Sequence, residues 1–146
     1  MTDDRPGLEA AIAMAVDAHC GQTDKGGAPY ILHPLRVMMV MATADERIVA
    51  MLHDVVEDSD YTLEDIAYEF GPRVTAAVDA ITKRHGESYN AYLDRVTADE
   101  VARRVKLADL KDNSDLSRLG RDVTEADRKR LDKYLRARAI LQQAGH

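Results

Sequence analysis

An all-α domain is the fold class this sequence predicts, and three observations carry the prediction. Apolar residues recur at three- and four-residue steps along most of the chain, the spacing of one helix face. Nowhere does the chain sustain the apolar–polar alternation of a half-buried strand. Aromatic residues make up only 5 %, with one Phe, six Tyr and no Trp, while alanine is abundant, a balance that favours helix over sheet.

The elements follow in order. The first predicted helix covers residues 8–19, with Leu8, Ile12, Ala15, Val16 and His19 on one side. Residues 21–30 are a turn-rich loop punctuated by glycine and proline. Pro34 is predicted as the first residue of a helix reaching about residue 42, where its missing N–H costs nothing. Asp45 is the predicted cap of a third helix, in which Ile48, Val49, Leu52, Val55 and Val56 make a broad apolar face. Thr62 and Asp65 form a short-acid version of the capping box, and Gly71-Pro72 ends one helix and starts another that runs to about residue 82. A polar loop over 83–88 precedes a short amphipathic piece over 89–96. Two longer helices are predicted over 98–116 and 124–143, with Gly120 between them and Thr124 with Asp127 at the second one's cap. The expected architecture is a single helical-bundle domain over residues 1–146 with about seven helices, since this length leaves room for one domain and little else.

Charge and cysteine content narrow the function. Lys plus Arg total 20 against 26 Asp plus Glu, a formal charge of -6, so a nucleic-acid partner, which wants a net basic surface, is not expected. No apolar run approaches the ~20 residues of a membrane span, and the acidic N-terminus has no secretory apolar core, so no membrane partner is expected either. The one cysteine, Cys20, excludes an internal disulfide and a four-sulfur zinc site, and a cytoplasmic location is the expectation.

The informative residues are polar side chains where the pattern calls for apolar ones. Val49, His53 and Glu57 step by four, so one apolar stripe runs into an imidazole and then a carboxylate, with Asp54 and Asp58 in the adjacent row. Val101, Val105, Asp109 and Asn113 step in the same way. Packing these two stripes together would gather the ionisable groups at one place. A lone helical histidine is more often a hydrogen-bonded core residue than a ligand. His33 supplies a third element, because the restriction on residues before proline predicts that it stands outside the helix, free to point into a site. His33, His53, Asp54 and Asp109 make a mixed nitrogen and oxygen ligand set that suits Mn²⁺, Fe²⁺ or Zn²⁺. Glu57 and Asp58 add carboxylates that would repel one another without a cation. Lys106, one turn before Asp109, fits either an ion pair within the helix or a phosphate contact. Arg128, Lys129 and Arg130 read as the solvated face of the last helix.

Together these motifs resemble a known family. His33-Pro34, the run Leu52-His53-Asp54-Val55-Val56-Glu57-Asp58, and Lys106-Leu107-Ala108-Asp109 followed by Asn113 are similar to the HD-domain metal phosphohydrolases. Within them, the likeness is to the hydrolase domain of RelA/SpoT-type enzymes and the stand-alone small alarmone hydrolases, and it runs over residues 8–119. Gly27-Ala28-Pro29-Tyr30-Ile31-Leu32-His33-Pro34 matches that family's entry motif, while Asp24 stands where the family commonly has a basic residue. The resemblance implies Mn²⁺-dependent removal of the 3′-pyrophosphate from guanosine tetra- or pentaphosphate. It implies His33, His53, Asp54 and Asp109 as metal ligands, and Glu57 and Asp58 as the pair that orients or activates the attacking water. It further implies Asn113 at the ribose, and Lys25 and Lys106 at the base or phosphates. Two other readings stand beside it: an HD phosphohydrolase for another phosphorylated nucleotide, such as a nucleoside monophosphate or NADPH, and a non-catalytic domain that binds metal and nucleotide. The Glu57-Asp58 pair counts against the last, since a binding domain has no need of a water-activating group.

Overall fold

The computed structural model describes residues 7–144. In chain order the helices are α1 (Gly7–Ala18), α2 (Leu32–Met39), α3 (Ala44–Leu52), the single turn α4 (Val55–Asp58), α5 (Leu63–Ile81), α6 (Tyr89–Ala98), α7 (Glu100–Asn113) and α8 (Glu125–Ala144), with a 3₁₀ turn over Leu116–Leu119. Among the described residues the nearest thing to a sheet is one bridge between Thr23 and Pro29, which closes the loop after α1. The all-α class is therefore as expected, with seven helices longer than one turn.

Helix α3 is the centre. Val49, Ala50, Met51 and Leu52 are consecutive and wholly buried, as a helix surrounded on all sides must be. It packs against α1, α2, α5 and α7, and α7 in turn lies against α2, α5, α6 and α8. Ile66, Val78, Val96, Val105, Leu110 and Leu141 complete the core from the surrounding helices. Truncating any of the large ones to alanine costs about 2–5 kcal/mol, because the cavity collapses only in part.

Three expectations need correction. The cap of α3 is Thr43, not Asp45. Thr43 accepts from the Glu46 amide, and Glu46 reaches back to the amides of Ala42 and Thr43. Glu46 is buried and its other oxygen pairs with Arg104 of α7 at 2.7 Å, so this capping box is also a tie between helices. Next, the third helix does not run on to residue 58. It stops after Leu52, and Asp54, with φ -108° and ψ 0°, flattens the backbone before α4 restarts at Val55. Finally, His33 is the second residue of α2 rather than a residue outside it. Pro34 still falls in the first turn, where backbone N–H groups have no intrahelical partner anyway, and the ring contacts of His33 outweigh the pre-proline preference.

The other boundaries follow local chemistry. Gly71, with φ 83°, takes a conformation closed to other residues and splits α5, after which Pro72 starts the second half. Thr62 with Asp65 and Thr124 with Asp127 make the expected caps. Asp99 accepts from the Ala102 amide and starts α7 later than the periodicity suggests.

The Thr43 cap is open to a direct test. Thr43→Ala should lower the unfolding free energy by about 1 kcal/mol in urea titration, while Asp45→Ala, which removes only a first-turn charge, should cost about 0.3–1 kcal/mol and fall below it.

Candidate metal centre and adjoining cleft

Three segments bring the four expected ligands together. His33 comes from the first turn of α2, His53 and Asp54 from the break between α3 and α4, and Asp109 from the buried stripe of α7. One ligand atom from each lies within 4.8 Å of all the others. His33 Nε2 stands 2.8 Å from Asp109 Oδ1 and 3.8 Å from Asp54 Oδ2, and His53 Nε2 stands 3.3 and 3.0 Å from the same two oxygens. Two imidazole nitrogens and two carboxylate oxygens facing one point suit a divalent first-row ion. The far ring nitrogens are fixed for that task. His53 Nδ1 donates to the Ala50 carbonyl at 2.6 Å, and His33 Nδ1 to Asp112 Oδ2 at 2.6 Å, which leaves both Nε2 lone pairs for an ion.

Asp112 and Tyr30 are tied to the cluster in ways that sequence reasoning missed. Asp112 orients His33 and is itself held by Arg36 at 2.8 Å and Arg118 at 3.3 Å. Tyr30 donates its hydroxyl to Asp54 Oδ2, and its ring is wedged between those of His19 and His33, with centroids 4.9 and 5.7 Å away. A signal existed for both: Asp112 is three residues after Asp109, and Tyr30 three before His33.

The charges are mutually dependent. Burial alone would lower the His53 imidazole, but the Asp54 charge and the bond to Asp109 raise it well above its ordinary 6.5. His33 is also raised, its bonds to Asp109 and Asp112 overcoming burial. Burial would raise Asp54, yet His53 holds it at about 2. Asp109 lies well below its ordinary value despite complete burial, chiefly because the Lys106 charge offsets the desolvation.

The remaining expected residues separate into two groups. Lys106 Nζ lies 2.9 Å from Asp109 Oδ2 and over the Tyr92 ring at 5.4 Å, so the ion pair within α7 is what forms, and Lys106 is not part of the cleft wall. Asn113 Nδ2 donates to Asp109 Oδ1 at 3.0 Å and also lines the cleft, so it stands at the junction of the two. Glu57 and Asp58 lie on α4 directly after the break, open to solvent on one side and facing the protein on the other. Partial burial raises both carboxyls, and for Asp58 the Asp54 charge adds to the effect. Glu57 Oε1 accepts the Lys83 amide at 2.6 Å, a bond that pulls the other way.

A cleft of about 360 Å³ opens beside the cluster, bounded by the 21–30 loop, the end of α7, the 3₁₀ turn and α8. His33, Tyr30 and Asn113 form its inner end, and Lys25 lies on its rim without an ion pair among the described residues. Arg36 and Arg118 also line it but are tied to Asp112, and Arg130, which the pattern placed on a solvated face, turns to Asp127 at the cleft wall. Asp24 Oδ1 accepts from the Gly26 and Ala28 amides at 2.9 Å each, so this carboxylate shapes its own loop. The loop is close to the opposite wall: a Cβ on Gly26 would meet the Arg118 carbonyl oxygen at 2.2 Å.

With this geometry in view, comparison with known proteins is decisive for the family. A family model described as an HD domain matches residues 11–113. The chain belongs to the HD-domain family. This HD domain is 34 % identical over 118 residues to a guanosine-3′,5′-bis(diphosphate) 3′-pyrophosphohydrolase of Aquifex aeolicus, covering 73 % of this chain and 17 % of that protein. It is 41 % identical over 80 residues to the protein of the same name from Vibrio cholerae, covering 52 % and 11 %. It is 39 % identical over 80 residues to the bifunctional (p)ppGpp synthase/hydrolase SpoT of Escherichia coli, again covering 52 % and 11 %. The chain thus spans less than a fifth of these relatives. A solved structure of a metazoan ortholog of SpoT that hydrolyzes ppGpp superposes with a TM-score of 0.78 over 97 % of this chain and 88 % of that one, at 23 % identity, which establishes the shared fold. Among the described residues no helix is long and apolar enough to cross a membrane.

Two outcomes follow for the ion site. Asp112→Asn should weaken Mn²⁺ binding about 10- to 100-fold by calorimetric titration, because His33 loses the anionic acceptor that fixes its ring and raises its basicity. The raised His33 and His53 values give the pH dependence of the metal-free protein. Stability from these charged pairs is fully present below about pH 6.5, the unfolded histidine value, and is lost as pH rises through the higher folded values. An ion needs both imidazoles neutral, so the rise in melting temperature on adding Mn²⁺ should grow from pH 6 to pH 8.5. Differential scanning fluorimetry reads both.

Proposed function

We propose that this HD domain is a metal-dependent phosphohydrolase that removes the 3′-pyrophosphate of guanosine tetra- or pentaphosphate, with Mn²⁺ as its ion. The observation that carries the reading is the junction of the two-His, two-Asp cluster with the cleft, where His33 and Asn113 belong to both. The names borne by the relatives support the substrate class. A cytoplasmic enzyme fits the single cysteine and a nucleotide substrate.

The bound ion would supply Lewis-acid polarisation of a phosphoryl oxygen and a lowered pKa for the attacking water. The chain supplies the rest. Glu57 takes the proton of that water on Oε2, its Oε1 being held by the Lys83 amide, and its raised pKa brings it nearer to working pH. Asp58, the next residue on α4, orients the water. The new bond forms between water oxygen and phosphorus, and the bond from phosphorus to the 3′ oxygen breaks, releasing pyrophosphate. Asn113 holds the ribose end and Lys25 meets a phosphate, a reading supported by the presence of both on the cleft wall. Lys106 acts from behind, keeping Asp109 ionised.

Asp24 favours a second reading, another phosphorylated nucleotide such as NADPH or a nucleoside monophosphate. A basic residue there would have offered a charge to a base or phosphate, whereas Asp24 binds loop amides and leaves Lys25 alone on that rim. Turnover of ppGpp, pppGpp, NADPH and nucleoside monophosphates with Mn²⁺ separates the two. The first reading requires pyrophosphate together with GDP from ppGpp or GTP from pppGpp, with the highest kcat/KM on one of these two. Glu57→Gln should keep ion affinity and fold while kcat drops by about 10²- to 10⁴-fold. Wild-type protein that binds these nucleotides and turns over none of them would instead mark a binding domain.

A further inference from the structure

The loop between α5 and α6 lies outside the ligand cluster and outside the cleft, yet it touches the proposed base. Its Lys83 amide donates to Glu57 Oε1 at 2.6 Å. The loop leaves α5 at Thr82, and the last carbonyls of a helix have no donor within it. Here α6 supplies the donors. Arg95 Nη1 donates to the Asp79 carbonyl at 2.9 Å and Nη2 to that of Thr82 at 2.8 Å, while the buried Tyr92 hydroxyl donates to that of Ile81 at 2.6 Å. A cation at this end also complements the helix dipole.

The same guanidinium grips the far side of the loop. Arg95 Nε and Nη2 reach Glu87 Oε2 and Oε1 at 2.6 and 2.7 Å, and Glu87 Oε1 accepts the Arg84 amide at 3.0 Å. One planar fork therefore fastens both ends of the segment 82–87, and the Lys83 N–H lies between the fastened points. Lysine could not replace it, since a single ammonium lacks the fixed geometry for four acceptors.

We propose that Arg95 is a positioning residue for Glu57, acting through the Lys83 amide of the 82–87 loop. The proposal rests on the reading of Glu57 as general base. Neither the loop nor α6 contributes to the cleft wall, so substrate affinity does not depend on it. Without Arg95 the loop relaxes, Glu57 loses the amide that holds one oxygen, and the carboxylate both reorients and becomes harder to ionise.

The test is steady-state kinetics on ppGpp across pH 5.5–9, with Mn²⁺ saturating at every pH so that protonation of His33 and His53 does not set the acid limb, for Arg95→Met, Glu87→Gln and Glu57→Gln. Arg95→Met should lower kcat about 10- to 100-fold, the scale of a misplaced catalytic group, with KM within twofold of wild type. The acid limb of kcat should move up by about half to one pH unit, because an ionised base is needed and its amide donor is gone. Glu87→Gln keeps the size and weakens the fork, so it should move both readouts the same way by less. A wild-type acid limb in whichever of the two variants folds overturns the proposal even where kcat has fallen, since lost stability alone does not move the limb. Glu57→Gln separates the two levels. Full activity there overturns the base assignment, whereas an inactive Glu57→Gln beside an unmoved Arg95→Met limb overturns only the positioning role.

Discussion

The buried carboxylate of Asp109 is the constraint on which the rest of this structure depends. His33, His53, Lys106 and Asn113, from three separate segments, all place a polar atom within 3.3 Å of it. A charge so far from water is tolerated only when it is paired and hydrogen-bonded, and removing one partner of such a set costs about 3–5 kcal/mol. Asp109 therefore dictates where α2 and the α3–α4 break must lie relative to α7.

The break in the polypeptide at His53-Asp54 is the local expression of that demand. Adjacent residues on a continuous helix point about 100° apart, so one helix cannot aim both side chains at a single ion. Ending α3 at Leu52 and flattening the backbone at Asp54 lets His53 Nε2 and Asp54 Oδ2 approach to 3.0 Å. The same break starts α4 in a new direction and sets Glu57 and Asp58 at the edge of the site. One irregularity thus separates the His53-Asp54 pair of the cluster from the Glu57-Asp58 pair that follows it.

Much of this was legible in the sequence. The apolar stripes ending at His53 and Asp109 named the right helices, and the four side chains singled out converge within 4.8 Å of one another, because an ionisable group interrupting a buried row must be satisfied by something. Helix caps at Thr62 and Thr124 were legible for the same local reason. What periodicity could not show was the break after Leu52, since the apolar residues Val55 and Val56 continue the pattern across it. Nor could it show that Thr43 rather than Asp45 caps α3: both residue types are good caps, and the burial of Glu46 against Arg104, a contact between distant segments, decides. Asp24 illustrates the limit most clearly. Its charge is plain in the sequence, but its two bonds to the loop's own amides are a matter of three-dimensional geometry.

The near-contact of Gly26 with the Arg118 carbonyl bears on how such a domain changes over evolutionary time. There the width of the cleft is set by main chain against main chain, and main-chain spacing does not alter when neighbouring side chains are exchanged. Lys25 and Tyr134, both on the cleft wall, can be exchanged one at a time while the gap stays constant, whereas Arg118 also holds Asp112. Single side-chain exchanges on this wall can therefore change what the cleft accepts while its width holds, whereas a side chain at Gly26 would force the two main chains apart.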